Sequence, residues 1–419
     1  MKIGKFLKNI FLLALFPYFL ISCSSRKTVV IWTDRAEVVS YVEYFNVVQD
    51  KAKAIVVYKE NLASAFPPAS DEKKPDVLIS SFLKNSRIKK NFAPLEAVLG
   101  RFQVDTSLIY SPLLDFGKSD GKQYLLPLSF NLPAVIFDES KAPLVSETGL
   151  LEFSRLKETS VVFNEKNASG VYTKMGFAPS WNQEFLYEYV KSHGANIKEK
   201  GNAISWNEEN LNKSVEELKN WTSEKNTSTS SEQDFSFKYL YMPVRKQVLS
   251  GKCLYAYTTS DKFFSLPQEQ TSEIDFKWLS NGGKICIEDE IVMLGVYRKS
   301  VNTRNAFDFI IWLFNEDTQK NLLERSRNMH LDITSFGICN GFSSLKSVNE
   351  RILPSYYKNL LGNLPDESSI LCPEPLPERW KSLKERVVIP CLSDSTKTDS
   401  DVQPKTMEEL LSSWRKQFN

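Results

Sequence analysis

Short apolar runs alternate along the chain with segments whose apolar residues recur every three or four positions. Val29-Val30-Ile31-Trp32 is a continuous apolar run and predicts a strand. Over 35–49, Val38, Val42, Phe45 and Val48 fall along one side of a predicted helix. Ile55-Val56-Val57-Tyr58 and Pro75-Asp76-Val77-Leu78-Ile79 predict a second and a third strand, with a polar, proline-containing stretch between them. A β-α-β-α-β opening of this kind favours a parallel sheet with helices on its faces. Between Gln123 and Asp138, two apolar runs, 125–128 and 134–137, flank Ser129-Phe130-Asn131-Leu132-Pro133. Prolines at 127 and 133 argue against one long central strand, so this segment is expected to leave one lobe and enter another.

The same reading predicts helices over 184–191 and over 207–221, the second capped by Asn207 and carrying Leu211, Val215 and Leu218 on one face. Residues 222–234, rich in Ser, Thr, Asn and Glu, are expected to form an exposed loop, and 393–405 a second one. Strands are expected at 251–257 and 291–297, and helices at 305–314 and 318–327. A last helix places Met407, Leu410, Leu411, Trp414 and Phe418 on one face. No repeat of solenoid or propeller length is present.

The first residues add a destination. Lys2, Lys5 and Lys8 precede an apolar run, 10–21, broken only by Pro17. A bilayer span needs roughly 20 apolar residues, so this run fits the apolar region of a signal peptide instead. Its ending, Leu20-Ile21-Ser22-Cys23, resembles the bacterial lipobox. That resemblance implies loss of residues 1–22, acylation of Cys23, and a lipoprotein anchored in the bacterial cell envelope, outside the cytoplasm. Loss of three lysines takes the formal charge from +2 to −1, so lipid rather than protein charge would hold the chain to a membrane.

Composition narrows the chemistry. With 53 Lys and Arg against 51 Asp and Glu there is no electrostatic case for nucleic-acid binding. The only histidines are His193 and His330, which leaves little room for histidine-based chemistry. Cys253, Cys286, Cys339, Cys372 and Cys391 form no CxxC pair and match no zinc spacing; they are expected to be small buried apolar groups, with one disulfide open and no metal. The chain contains no GxSxG, HExxH, GxxxxGK[ST] or GxGxxG motif. A glycosidase needs only two carboxylates, which sequence leaves open. The triplet Glu288-Asp289-Glu290 is expected to be a solvated turn before a strand.

Three segments resemble the family of extracellular solute-binding proteins that includes maltose-binding protein. They are 76–82 together with 124–138, then 249–261, then the helix pair within 302–323. The resemblance implies an α/β, two-lobe periplasmic-binding-protein-like fold with a hinge and an inter-lobe ligand cleft. Lobe one would be 24–130 plus 285–336, and lobe two 131–284 plus 337–419. It further implies a monomer without enzymatic activity or cofactor, which captures a small molecule by closing its lobes and delivers it to the membrane subunits of an ABC importer.

Ligands of open α/β sheets bind just past the strand ends. Candidate binding residues are therefore Asp34 and Arg35 after the first strand, and Ser80, Ser81 and Phe82 after the third. Asn131 sits at the crossing, and Ser260 and Asp261 follow the strand that begins near Gly251. Trp181, with Asn182 beside it, and Trp380 are similar in position to the family's ligand-stacking aromatics, whereas Trp32, Trp278 and Trp312 are assigned to packing. Indole faces with scattered hydroxyl, carboxylate and carboxamide groups suit a sugar or oligosaccharide. A glycerol phosphodiester is the alternative ligand, and a surface lipoprotein with an adhesive or structural role the alternative class.

Overall fold

The computed structural model describes residues 28–417 apart from 86, 101–102, 146–147, 201–202 and 378. The signal peptide, Cys23 and Phe418 lie outside the described residues.

Ten strands build the two main sheets. In chain order they are β1 (Thr28–Thr33), β2 (Lys53–Tyr58), β3 (Val77–Ser80), β4 (Leu126–Phe130), β5 (Pro133–Asp138), β6 (Leu150–Glu152), β7 (Ala256–Thr259), β8 (Ile274–Ser280), β9 (Val292–Val296) and β10 (Phe342–Ser343). The first sheet has the order β10-β4-β9-β3-β1-β2 and the second β7-β5-β8-β6. β1 lies parallel to both β2 and β3, as the opening pattern requires, while β9 runs antiparallel to β3 and β4. β1 and β3 are covered on both faces, which explains their unbroken apolar runs. One cover is the helix Glu37–Val48, whose Phe45 meets Phe309 and Trp312 edge-on, each at 5.1 Å, from the helix Thr303–Leu313.

The 123–138 segment does cross between the two sheets. β4 ends at Phe130 in the first, β5 begins at Pro133 in the second, and only Asn131 and Leu132 lie between. The polar atoms of this short link are tied down. Leu132 N–H donates to Ser260 Oγ (3.1 Å), Ser260 Oγ donates to Asn131 Oδ1 (2.6 Å), and Asn131 Nδ2 donates to the Asn340 carbonyl (2.8 Å). A second crossing runs alongside, with Glu288 N–H bonded to the Asn131 carbonyl at 2.9 Å before β9 returns to the first sheet. At Gly341 the backbones are so close that a Cβ would sit 2.7 Å from the Phe130 carbonyl oxygen.

The second sheet carries its own core, in which Phe177, Phe185 and Trp221 pack with the C-terminal Trp380, Leu383, Val387, Leu392, Leu411 and Trp414. Three expectations are corrected here. Residues 229–238 form a helix rather than an exposed loop: Ser228 caps it by accepting from Ser231 N–H, and Phe235 and Glu232 are buried. Residues 342–343, expected in lobe two, form β10 and pair with β4 of the first sheet, while Phe342 also meets Phe264 and the second sheet's Trp278. The 393–405 loop is shortened at its start, where the helix Ile389–Ser395 extends into it. Among the described residues the five cysteines are free thiols, four of them buried, and no helix is long and apolar enough to cross a membrane.

Candidate functional site

Where the crossings meet the ends of β1, β3 and β7, a cavity of about 370 Å³ opens between the sheets. Arg35 and Phe82 enter it from the first sheet, and Glu184, Thr259, Asp261, Trp380 and Lys384 from the second. Asn131, the acidic triplet Glu288-Asp289-Glu290, Cys339 and Asn340 line it from the crossings and the loop beside them. The site thus draws on both lobes and on the hinge.

Its polar groups form one connected network. Arg35 follows β1, and its Nη2 donates to Ser81 Oγ at 2.6 Å and to Glu290 at 2.9 Å, while its Nε lies 3.3 Å from Asp34. Ser80 Oγ donates to the other Asp34 oxygen at 2.6 Å. Glu290 is also met by Lys381 at 3.0 Å, so one hinge carboxylate joins a cation from each lobe. Burial pushes the Glu290 carboxyl up, but Arg35 and Lys381 outweigh it and hold the group below its usual range. For Asp34 the balance reverses: burial raises its pKa despite Arg35 and Ser80.

The triplet is not a solvated turn. Asp289 is buried and accepts from Trp380 Nε1 (2.7 Å) and Tyr187 Oη (3.1 Å), with Lys191 and Lys384 each 3.6 Å away. Burial again acts upward, and the two lysines with the two hydrogen bonds prevail, leaving Asp289 lowered. Glu288 accepts from Tyr257 Oη at 3.2 Å and is raised, chiefly by burial. Lys384 also pairs with Glu184 at 2.6 Å and stays protonated more firmly than a free lysine, the carboxylates outweighing its burial.

Of the expected residues, the structure brings Arg35, Phe82, Asn131, Asp261 and Trp380 to the cavity wall, with Asp34, Ser80 and Ser81 held just behind through Arg35. Ser260 is fully buried in the hinge bonding described above. Asn182 caps the helix Gln183–Ser192 by accepting from Glu184 N–H. Trp181 does not reach the cavity: its ring stacks on Phe235 at 5.5 Å and its Nε1 donates to the Glu232 carbonyl at 3.0 Å. Trp380 is at the wall but only 1% exposed, so its indole is fixed in packing against Tyr187 rather than held open. Trp32 and Trp278 are core residues and Trp312 is partly buried against the same core, as assigned.

Sequence reasoning missed Glu184, Lys381, Lys384 and the triplet as site residues. For the triplet the available signal was that three adjacent acids immediately precede an all-apolar strand, which leaves them at a strand end rather than in open solvent. The lysines gave no signal beyond lying near Trp380.

No family model matches the chain, and no curated protein sequence matches it. Solved structures do. The maltose-binding periplasmic protein of Listeria monocytogenes, in complex with maltose, aligns at TM-score 0.61 and 16% identity over 94% of this chain and 98% of its own. A cyclo/maltodextrin-binding protein complexed with maltotetraose aligns at 0.61 and 15%, over 93% and 96%. The GacH receptor of Streptomyces glaucescens, solved unliganded and with acarbose, aligns at 0.59 and 14%, over 94% and 97%. The chain therefore shares, across nearly its whole length, the two-lobe α/β fold of these sugar-binding proteins.

Proposed function

We propose that the protein captures a saccharide between its lobes and delivers it to the membrane subunits of an ATP-driven importer. The observation that carries this reading is the cavity at the crossings, to which both lobes contribute. Sugars need hydroxyl partners that both donate and accept, and the wall offers Asn131, Asn340, Thr259 and several carboxylates beside Trp380 and Phe82. The structural relatives whose complexes hold maltose, maltotetraose or acarbose support the same ligand class.

The charge of the wall bears on the alternative. Arg35, Lys262, Lys381 and Lys384 face Glu184, Asp261, Glu288, Asp289, Glu290 and Glu385, an excess of acids. Arg35, Lys381 and Lys384 are already paired. A phosphodiester would meet this surface with little free positive charge, so a neutral saccharide has the better support. The protein is further read as a lipoprotein anchored through Cys23, on the lipobox resemblance. Hydrolysis plays no part in this reading: Glu184 and Glu290 are paired with cations, Glu288 accepts from a phenol, and Asp289 accepts from a phenol and an indole.

Calorimetric titration with maltose-type and mannose-type oligosaccharides and with glycerophosphocholine tests the proposal. A saccharide that binds, is recovered intact and raises the melting temperature is expected. Binding of the phosphodiester alone, or turnover of the sugar, would replace the reading.

A further inference from the structure

Residues 235–252, none of which lines the cavity, carry an unusual surface. Among the described residues, Phe237 is 76% exposed, Leu240 59%, Tyr241 97% and Val244 53%, four exposed large apolar side chains within eight residues. Phe237 and Tyr241 are also two of only three strongly exposed aromatics there, the third being Tyr58. Single exposed apolar residues are ordinary; a cluster on one short element marks an interaction surface.

The element is built to hold them out. The helix Thr229–Lys238 leads through a tight turn into the helix Val244–Leu249. Gln247 closes that turn, its Nε2 donating to the Met242 carbonyl at 2.9 Å, while Met242 N–H donates to the Tyr239 carbonyl at 2.8 Å. Underneath, Tyr239 packs edge-on against Phe235 at 5.1 Å, which itself stacks on Trp181. The tip therefore presents Leu240 and Tyr241 on a fixed backbone rather than on a loose loop.

Charge then selects the partner. Lys238, Arg245, Lys246 and Lys252 lie in this stretch, and no acid does, in a chain whose bases and acids otherwise nearly cancel. Lys238 and Lys252 sit over the Tyr239 ring at 5.5 and 5.8 Å, so basic and aromatic groups share one face. Aromatic and aliphatic side chains beside four lysines and arginines, with the single exposed acid Asp234 at the border of the stretch, match the boundary between anionic headgroups and acyl chains.

We propose that the 235–252 tip is a membrane-contact surface that seats Phe237, Leu240 and Tyr241 in the interface of a bilayer containing anionic lipid. The contact is separate from ligand capture and from any acyl anchor, and it would orient the protein on the membrane.

The chain from Ser24 onward keeps every described strand and helix and lacks Cys23, so it isolates this surface. It is to be sedimented with vesicles of phosphatidylglycerol and phosphatidylcholine, and with phosphatidylcholine alone. Binding to the anionic vesicles that weakens with added salt is expected. It should fall about tenfold or more in a Phe237→Ser/Tyr241→Ser variant and in a Lys238→Glu/Lys246→Glu variant, with melting temperatures unchanged because these side chains are exposed. Absence of binding by the parent chain, or equal binding by both variants, overturns the proposal. So does a parent that ignores vesicles yet is captured by detergent-solubilised importer subunits through this tip, which would make the surface a protein-docking site.

Discussion

Asp289 offers the sharpest test of how the cleft is held together. Its carboxylate accepts two hydrogen bonds, from Trp380 Nε1 at 2.7 Å and Tyr187 Oη at 3.1 Å, and faces Lys191 and Lys384. Asp289→Asn keeps the shape but removes the charge and turns one acceptor into a donor. One of the two buried donors then faces an N–H₂ group, a loss of about 1.5–3 kcal/mol for a hydrogen bond to a charged partner. Both lysines keep other carboxylates, Glu188 for Lys191 and Glu184 for Lys384, so their loss is partial. The sum is about 3–5 kcal/mol, as for breaking a buried ion pair from one side, and a large share of a total stability near 5–15 kcal/mol. Urea unfolding with an unchanged slope would measure it. The pH dependence gives a second check. Because the folded pKa is lowered, the Asp289 contribution is present above the unfolded value near 3.9 and fades as pH falls through the folded one. The gap between parent and variant should thus stay level from about pH 5 to 8 and close below about pH 4. A difference under about 1 kcal/mol at pH 7 would mean that the network does not carry the stability assigned to it.

Trp380→Ala should cost about 3–5 kcal/mol and weaken saccharide binding, whereas Trp181→Ala should cost about 2 kcal/mol and leave affinity unchanged, because only Trp380 lines the cavity. Unfolding and titration of both variants check this, and a loss of affinity in Trp181→Ala alone would reverse the assignment. Gly176→Ala would put a Cβ 2.3 Å from the Ser160 carbonyl oxygen, so a loss of about 2–3 kcal/mol is expected by thermal or urea unfolding. Cys23→Ala should abolish lipid labelling and membrane retention of the acylated form; unchanged labelling would remove the anchor assignment.

Much of the fold was legible because its strands are covered on both faces and read as plain apolar runs, β1, β3 and β9 among them. The crossing at Asn131 could be read from two prolines that a central strand would not tolerate. The helix at 229–238 was hidden by its composition: only Phe235 and the small or polar Thr229 and Glu232 are buried, so no apolar stripe marks it. The place of β10 was equally hidden, since a two-residue strand has no period and its pairing with β4 spans more than two hundred residues. In the site, residues directly after strands were found because strand ends fix them. The ion pairs were not, because Arg35 meets Glu290 across 255 residues of chain and Lys384 meets Glu184 across 200, so that only the folded chain brings them together. Trp181 was misplaced for the same reason: sequence showed an indole in a polar loop, and the partner that covers it, Phe235, lay in the unrecognised helix.

The most direct test of the central claim is a crystal structure of the protein with the saccharide that raises its melting temperature most. The account predicts density for the sugar in the cavity at the crossings, within hydrogen-bonding reach of Asn131 or Asn340 and of residues from both lobes, beside Trp380. Sugar density confined to the separate groove lined by Phe263 and Tyr357, with the cleft ion pairs unchanged, would contradict it.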